Sequence, residues 1–317
     1  RGKTIKIFGP PGTGKTENLL KRVKRYLEKG YSPDEICYVS FTNKAVNECI
    51  SRVRKKFKDY DEDAFKYFRT LHSLARQQFA EIPVLDPKAD MLMFHTQYGT
   101  VKIGYKDTWD DQKVYNNWSL QIYDRARNMK VDPVWLYKQQ SRKAVRLQQF
   151  KSIINGYEEF KTMELETGER TPDRLDFTDM VERYISRGLV IPFKVLMVDE
   201  AQDLTPLQWD MIVKISLSVD RVYVAGDDDQ EIYEWAGAEA LYFKNLEGKS
   251  RVLDKSYRVP RNIAEKSRKL IERIPKHLRE QKDWSAVKDG GKIIFSAHFK
   301  HANNFLICMP FITRIKN

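Results

Sequence analysis

Cysteine is scarce in this chain: three residues among 317, at Cys37, Cys49 and Cys308, with no CxxC spacing. That excludes a disulfide framework and a thiolate zinc site, and it suits a reducing compartment. Long apolar runs are missing too. The clean runs, such as Val195-Leu196-Met197-Val198, fall far short of the roughly 20 residues that a bilayer-spanning helix needs, and the stretch from Phe305 to Ile312 contains Pro310. No membrane role is expected. His298 and His301 form an isolated HxxH without cysteine or carboxylate partners, a poor metal pair. No internal repeat or low-complexity segment is present. What the chain does have is 41% hydrophobic and 32% charged residues. That is too apolar for a disordered tail, and the length suits about two domains.

The net charge of +12 is unevenly spread. Residues 1–80 carry +9, residues 171–252 carry −7 and residues 253–317 carry +9. Two basic blocks flanking an acidic one fit a polyanion-binding surface beside a carboxylate-rich strip. They fit two solvated faces equally well, and charge alone does not separate the two.

Thr4 to Gly9 reads as a short strand. A Gly/Pro-rich turn leads from it into an amphipathic helix over Lys15 to Lys29. A strand over Ile36 to Phe41 precedes a helix over Asn43 to Phe57. This alternation predicts an α/β fold with a parallel sheet covered by helices. The pattern returns with strands at Phe193 to Val198 and Arg221 to Ala225, and a helix from Thr205-Pro206 to about Leu217. A basic helix from Pro260 to about Ile274 and a strand at Lys292 to Phe295 follow. Between these parts, Asp110 to Arg127 and Asp132 to Glu166 look helical, so residues 81–170 are expected to form a helical insertion.

Gly9-Pro10-Pro11-Gly12-Thr13-Gly14-Lys15-Thr16 fits GxxxxGK[ST], after a strand and before a helix. Glycines let backbone N–H groups turn inward around phosphate oxygens, and the helix start favours anions. Lys15 can reach the β- and γ-phosphates, and the Thr16 hydroxyl can ligate Mg²⁺. A strand ending in carboxylates completes such a site. Val195-Leu196-Met197-Val198-Asp199-Glu200 supplies one, with Asp199 holding the metal and Glu200 activating the attacking water.

Further blocks stand in order along the chain: Ser40-Phe41-Thr42-Asn43-Lys44-Ala45, Thr70-Leu71-His72-Ser73, Asp176-Phe177-Thr178-Asp179 and Asp199-Glu200-Ala201-Gln202-Asp203. After them come Gly226-Asp227-Asp228-Asp229-Gln230, with Tyr233 and Trp235 close behind, and Leu253-Asp254-Lys255-Ser256-Tyr257-Arg258. The ordered set resembles motifs I to IV of the UvrD/Rep/PcrA-type superfamily 1 DNA helicases, over residues 5 to about 263.

The resemblance implies a RecA-like P-loop NTPase that uses ATP and Mg²⁺. Residues 1–80 and 171–252 would form a first RecA-like domain, 81–170 a helical insertion subdomain, and 253–317 the beginning of a truncated second RecA-like domain. Gln230 would sense the γ-phosphate, Arg258 would act as an arginine finger and Tyr257 would stack on adenine. Asp227 to Asp229 would line the magnesium–nucleotide site with Asp199 and Glu200. Phe41, Tyr233 and Trp235 would touch unstacked bases, with Thr42, Asn43, Thr70 and His72 along the DNA strand. An aromatic face is worth about 1–3 kcal/mol per stacked base, whatever the base.

The implied activity is ATP-driven movement along single-stranded DNA, 3′ to 5′, with partners that include single-/double-strand junctions. The implied setting is a bacterial or phage-infected cytoplasm near the nucleoid. Glu17 stands where relatives often carry arginine, and Ala236 where an arginine commonly follows the motif III tryptophan. Motifs V and VI would lie beyond residue 317, so the chain is expected to be the N-terminal portion of a longer helicase with little unwinding activity alone. Two other readings remain open: a P-loop ATPase of another group, such as an AAA+ remodeller, and a non-catalytic DNA-binding remnant.

Overall fold

The computed structural model describes residues 3–98, 117–164, 170–187, 192–230 and 239–291. β1 (Thr4–Phe8) runs through the glycine-rich turn into α1 (Lys15–Glu28). β2 (Ile36–Val39) leads to α2 (Asn43–Arg54), and β3 (Phe68–Arg69) to α3 (Leu71–Arg76). Four helices follow, α4 (Ala89–Gln97), α5 (Trp118–Met129), α6 (Pro133–Gln139) and α7 (Leu147–Phe160). A hairpin of β4 (Thr162–Glu164) and β5 (Arg170–Pro172) connects to α8 (Phe177–Arg187). The chain then forms β6 (Val195–Val198), α9 (Pro206–Ser218), β7 (Arg221–Gly226), α10 (Ala240–Asn245) and β8 (Lys249–Val252). β9 (Lys255–Ser256), α11 (Arg261–Ile271) and β10 (Ser285–Ala286) complete it.

Six strands pair in parallel in the order β3-β2-β6-β7-β1-β8, the α/β architecture that the strand–helix alternation predicts. Every residue of β2 and β6 is buried, as expected of strands covered on both faces. Strand alternation sorts their side chains. Ile7, Tyr38, Val195, Met197 and Tyr223 join the core beneath α1 and α2, while Phe8, Val39, Leu196, Val198 and Val224 join the core beneath α3, α8 and α9. The expected strand at Lys292 to Phe295 lies outside the described residues, as do Tyr233, Trp235, His298, His301 and Cys308.

The helix expected over Asp132 to Glu166 is broken. α6 stops at Gln139, α7 starts at Leu147, and β4 takes Thr162–Glu164. The Tyr137 hydroxyl donates to the Val145 carbonyl at 2.9 Å, and Gln149 Oε1 accepts from Arg146 N at 3.0 Å. These bonds hold a turn that hydrophobic spacing does not reveal, because apolar Val145 and Leu147 continue the pattern through it.

α5 is fastened to α8 by a buried ionic network. Arg127 meets Asp176 at 2.8 Å and Glu182 at 2.7 Å, and also pairs with Asp179. Lys161 meets Asp176 at 3.0 Å and Asp179 at 2.8 Å. Burial alone would raise Asp176, but Arg127 and Lys161 hold its carboxyl below the usual range. Asp124 accepts instead from the neutral Thr178 hydroxyl at 2.5 Å; burial and the Asp176 charge push it up to about 6. Beside the network, Asn128 of α5 donates to Thr178 at 3.0 Å and accepts from Thr205, the cap of α9, at 3.2 Å. Arg127→Met strands buried carboxylates and should destabilise the fold by about 3–5 kcal/mol. Urea unfolding followed by circular dichroism reads this, and an unchanged midpoint would show that the network contributes nothing.

Candidate nucleotide site and nucleic-acid cleft

Gly9 leaves β1 with its N–H bonded to the Gly226 carbonyl at 3.1 Å, so the ends of β1 and β7 stay joined. Gly12 and Gly14 have φ of 75° and 81°, where a side chain is strained. A Cβ on Gly9 would lie 2.3 Å from Thr13 Oγ1, and one on Gly12 would lie 2.3 Å from Arg258 Cβ. The turn is closed by Thr13 Oγ1 donating to the Pro10 carbonyl at 2.8 Å. Buried Lys15 folds across it, donating from Nζ to the Gly9 carbonyl at 2.9 Å. Glu17 pairs with Arg52 and so ties α1 to α2, a structural use for the residue that departs from the family pattern.

Asp199 follows β6 and is buried against the start of α1. Its Oδ2 accepts from the Tyr38 hydroxyl at 2.8 Å and its Oδ1 from the Glu200 N–H at 3.1 Å. Thr16, at the start of α1, lies near enough to favour the charged form of that carboxyl. Burial and then the Glu200 charge raise the Asp199 carboxyl above its ordinary value, against the opposing pull of Thr16, Tyr38 and Lys15. Thr16 and Asp199 thus present hard oxygen donors beside a loop in which Gly9 and Gly12 leave no room for side chains, a donor set that fits Mg²⁺.

Glu200 has φ of 53°, a left-handed conformation uncommon outside glycine. Its Oε2 accepts from Gln202 Nε2 at 3.0 Å, and Gln202 Oε1 accepts from the Asp227 N–H at 2.9 Å. Asp227 Oδ2 in turn accepts from Gln230 Nε2. Gln230 is thereby linked to the carboxylates after β6 through Gln202 and Asp227.

The expectation for Asp227 to Asp229 needs correction. Buried Lys282 pairs with Asp227 at 2.7 Å, with Asp229 at 2.9 Å and with Asp228. Arg279 grips Asp229 through two bonds of 2.6 and 2.7 Å. Burial would lower Lys282, but the three aspartates hold its ammonium above the ordinary value. These carboxylates are neutralised from within the chain rather than turned to a metal. The cause is a lysine more than fifty residues downstream, which motif spacing cannot show.

The segment of Tyr257 and Arg258 rests on the phosphate loop through its backbone. Tyr257 N donates to the Gly12 carbonyl at 3.0 Å and Ser256 Oγ to that of Pro11 at 2.6 Å. Both the Tyr257 ring, 65% exposed, and the Arg258 side chain face solvent.

A cleft of about 290 Å³ opens past the ends of β2 and β3. Phe41, Thr42, Asn43, Thr70 and His72 line it together with Arg76 and Phe177. Two of its hydroxyls also cap helices. Thr42 accepts from Ala45 N at 3.2 Å at the start of α2, and Thr70 from Ser73 N at 3.3 Å at the start of α3. The His72 ring meets Phe177 edge-on at 5.5 Å. Burial pushes His72 down to about 4, with Asp176 opposing in part, so it is a neutral ring near pH 7 rather than a phosphate-binding cation. Phe177, 39% exposed, is a lining residue that sequence reasoning misses. The signal for it is its place in the Asp176 to Asp179 block.

A family model described as the UvrD/REP helicase N-terminal domain matches residues 1–251. The chain is also similar to the ATP-dependent DNA helicase PcrA of Staphylococcus aureus and of Staphylococcus epidermidis. Identity is 26% over 316 residues with each, covering 90% of this chain and 40% of the relative. The chain therefore spans about 40% of the length of the curated relatives it matches.

The depressed His72 has a pH signature. Unfolded, an imidazole takes a proton near pH 6.5, roughly its free value; folded, His72 stays neutral down to about 4. Below about pH 6.5 the unfolded chain binds the extra proton, so stability falls as pH drops toward 4. His72→Asn should remove that component. The stability of the wild type relative to the variant should decline between pH 7 and pH 5 in urea melts, and parallel curves would contradict the assignment.

Proposed function

This chain belongs to the UvrD/REP helicase N-terminal domain family, and from that premise we propose that it is the nucleotide-binding portion of an ATP-driven DNA helicase. The proposed motion is 3′ to 5′ along single-stranded DNA. The observation that carries the reading is the convergence of Lys15, Thr16 and Asp199 at the edge of the sheet. The cleft of Phe41 and His72 opens at the end of β2, the strand whose Tyr38 touches Asp199.

In this reading the triphosphate lies along Gly9 to Gly14, where backbone N–H groups and the start of α1 favour anions. Lys15 exchanges the Gly9 carbonyl for the β- and γ-phosphate oxygens. Thr16 and Asp199 hold Mg²⁺, which when bound neutralises charge on the phosphates. Glu200 orients the attacking water and takes its proton. Gln230 reports on the γ-phosphate, Arg258 stabilises charge on the transferred phosphoryl group, and the exposed Tyr257 ring stacks on adenine.

Unstacked bases of single-stranded DNA, or of a single-/double-strand junction, enter the cleft. There they stack on Phe41 and Phe177 and pass Thr42, Asn43, Thr70 and neutral His72. Tyr233 and Trp235 belong to the same proposed track. The proposed division has residues 1–80 and 171–252 as the first lobe, 81–170 as the insertion and 253–317 as the start of a second lobe. The proposed location is the cytoplasm, near the nucleoid of a bacterial or phage-infected cell. Gln230 must release Asp227 before it meets a phosphate, which favours slow turnover by this chain alone.

Purified protein, a fluorescent ATP analogue and a labelled duplex test the reading. Lys15→Ala should abolish analogue binding. Glu200→Gln should retain binding but lower single-turnover hydrolysis by about 10²-fold or more. The wild-type chain should show a low ATPase stimulated by single-stranded DNA and no strand displacement. Robust displacement, or a Lys15→Ala chain that binds like the wild type, would overturn it.

A further inference from the structure

We propose that Tyr38 is a positioning residue for the metal-site carboxylate, its phenol fixing the orientation of Asp199 beside the start of α1. The proposal rests on the nucleotide-site reading above and adds to it a residue outside the phosphate loop and the carboxylate pair.

Tyr38 sits on β2 opposite Met197 of β6, on the face covered by α1 and α2. It is fully buried, and its ring stacks on Phe68 with centroids 5.7 Å apart and 20° between planes. Its neighbours along β2 are Ile36, Cys37 and Val39, so the hydroxyl is the only polar side-chain group in an otherwise apolar strand. Left unpaired there it would cost about 1–3 kcal/mol. It finds its partner across the strand boundary, at Asp199 Oδ2, 2.8 Å away. The phenol is the donor and the carboxylate the acceptor.

The other carboxylate oxygen accepts from the Glu200 N–H at 3.1 Å. Two fixed donors, one from β2 and one from the backbone after β6, therefore engage different oxygens, and turning the carboxylate plane away from them breaks both. The backbone is fixed as well, because Asp199 N donates to the Val39 carbonyl at 2.8 Å. Replacing a group that holds a ligating side chain in place typically costs about 10–100-fold in metal affinity. A core tyrosine that merely borrowed Asp199 to satisfy its hydroxyl would have the same geometry. The experiment separates the two by reading the metal.

Tyr38→Phe deletes one hydroxyl and keeps the ring on Phe68. Binding of a fluorescent ATP analogue is titrated with Mg²⁺ for the wild type, Y38F, D199A and the double variant, with thermal unfolding recorded for each. The Mg²⁺ concentration for half-maximal binding should rise about 10-fold in Y38F. In the D199A background the same substitution should add nothing, because the phenol acts through that carboxylate. A Mg²⁺ dependence indistinguishable from the wild type, an equal shift in both backgrounds, or loss of cooperative unfolding in Y38F would each overturn the proposal; the last would make the phenol a core-stability group. A wild-type chain whose nucleotide binding ignores Mg²⁺ removes the functional reading and this inference together. A Mg²⁺-dependent wild type with an insensitive Y38F removes this inference alone.

Discussion

Parallel pairing of β2, β6, β7 and β1 brings four strand ends to one edge of the sheet, and the site chemistry depends on that alignment. The phosphate loop leaves β1 there, the carboxylate pair leaves β6, the Asp-rich turn leaves β7 and the cleft begins after β2. The sheet's hydrogen bonds do not stop where the strands do. Gly9 bonds Gly226, Asp199 bonds Val39 and Leu253 bonds Phe8. Each functional segment thus starts while its backbone is still held by a neighbour, which sets side-chain direction before any packing does.

The uneven charge also finds its account inside the fold. Asp176 and Asp179 face Arg127 and Lys161, and Asp227 to Asp229 face Lys282 and Arg279. Much of the acidic block is therefore matched internally. Asp199 and Glu200 are held differently, by neutral donors. Asp199 is buried near the start of α1, and Glu200 is turned by a left-handed backbone toward Gln202. Part of the basic excess after residue 253 is consumed by the aspartates after β7, so net charge overstates the unpaired cationic surface.

Local features were legible in the sequence, and pairings across long separations were not. The phosphate loop and the carboxylate-tipped strand could be read because their residues are contiguous, and because a glycine-spaced turn between strand and helix does little else but cradle an anion. Phe41, Thr42, Asn43, Thr70 and His72 were singled out by resemblance, and the fold gathers them around one cleft. Tyr38 was invisible as anything but core, since nothing near Ile36–Val39 announces a carboxylate 161 residues away. Lys282 looked like one lysine in a basic stretch, and only the return of the chain after α11 brings it to Asp227. The break between α6 and α7 escaped because side-chain-to-backbone bonds make it, not a glycine or proline.

Residues 255 to 291 grip the loops at that edge of the sheet at two places. Ser256 and Tyr257 bond the carbonyls of Pro11 and Gly12, while Lys282 closes on the turn after β7. Between them, β9 and β10 lie side by side as paired strands. Strain on β10 is thus carried laterally, into β9 and on to Gly12, along a path far shorter than the covalent one. Mechanical load on that strand pair would be registered at the glycine-rich loop with almost no slack.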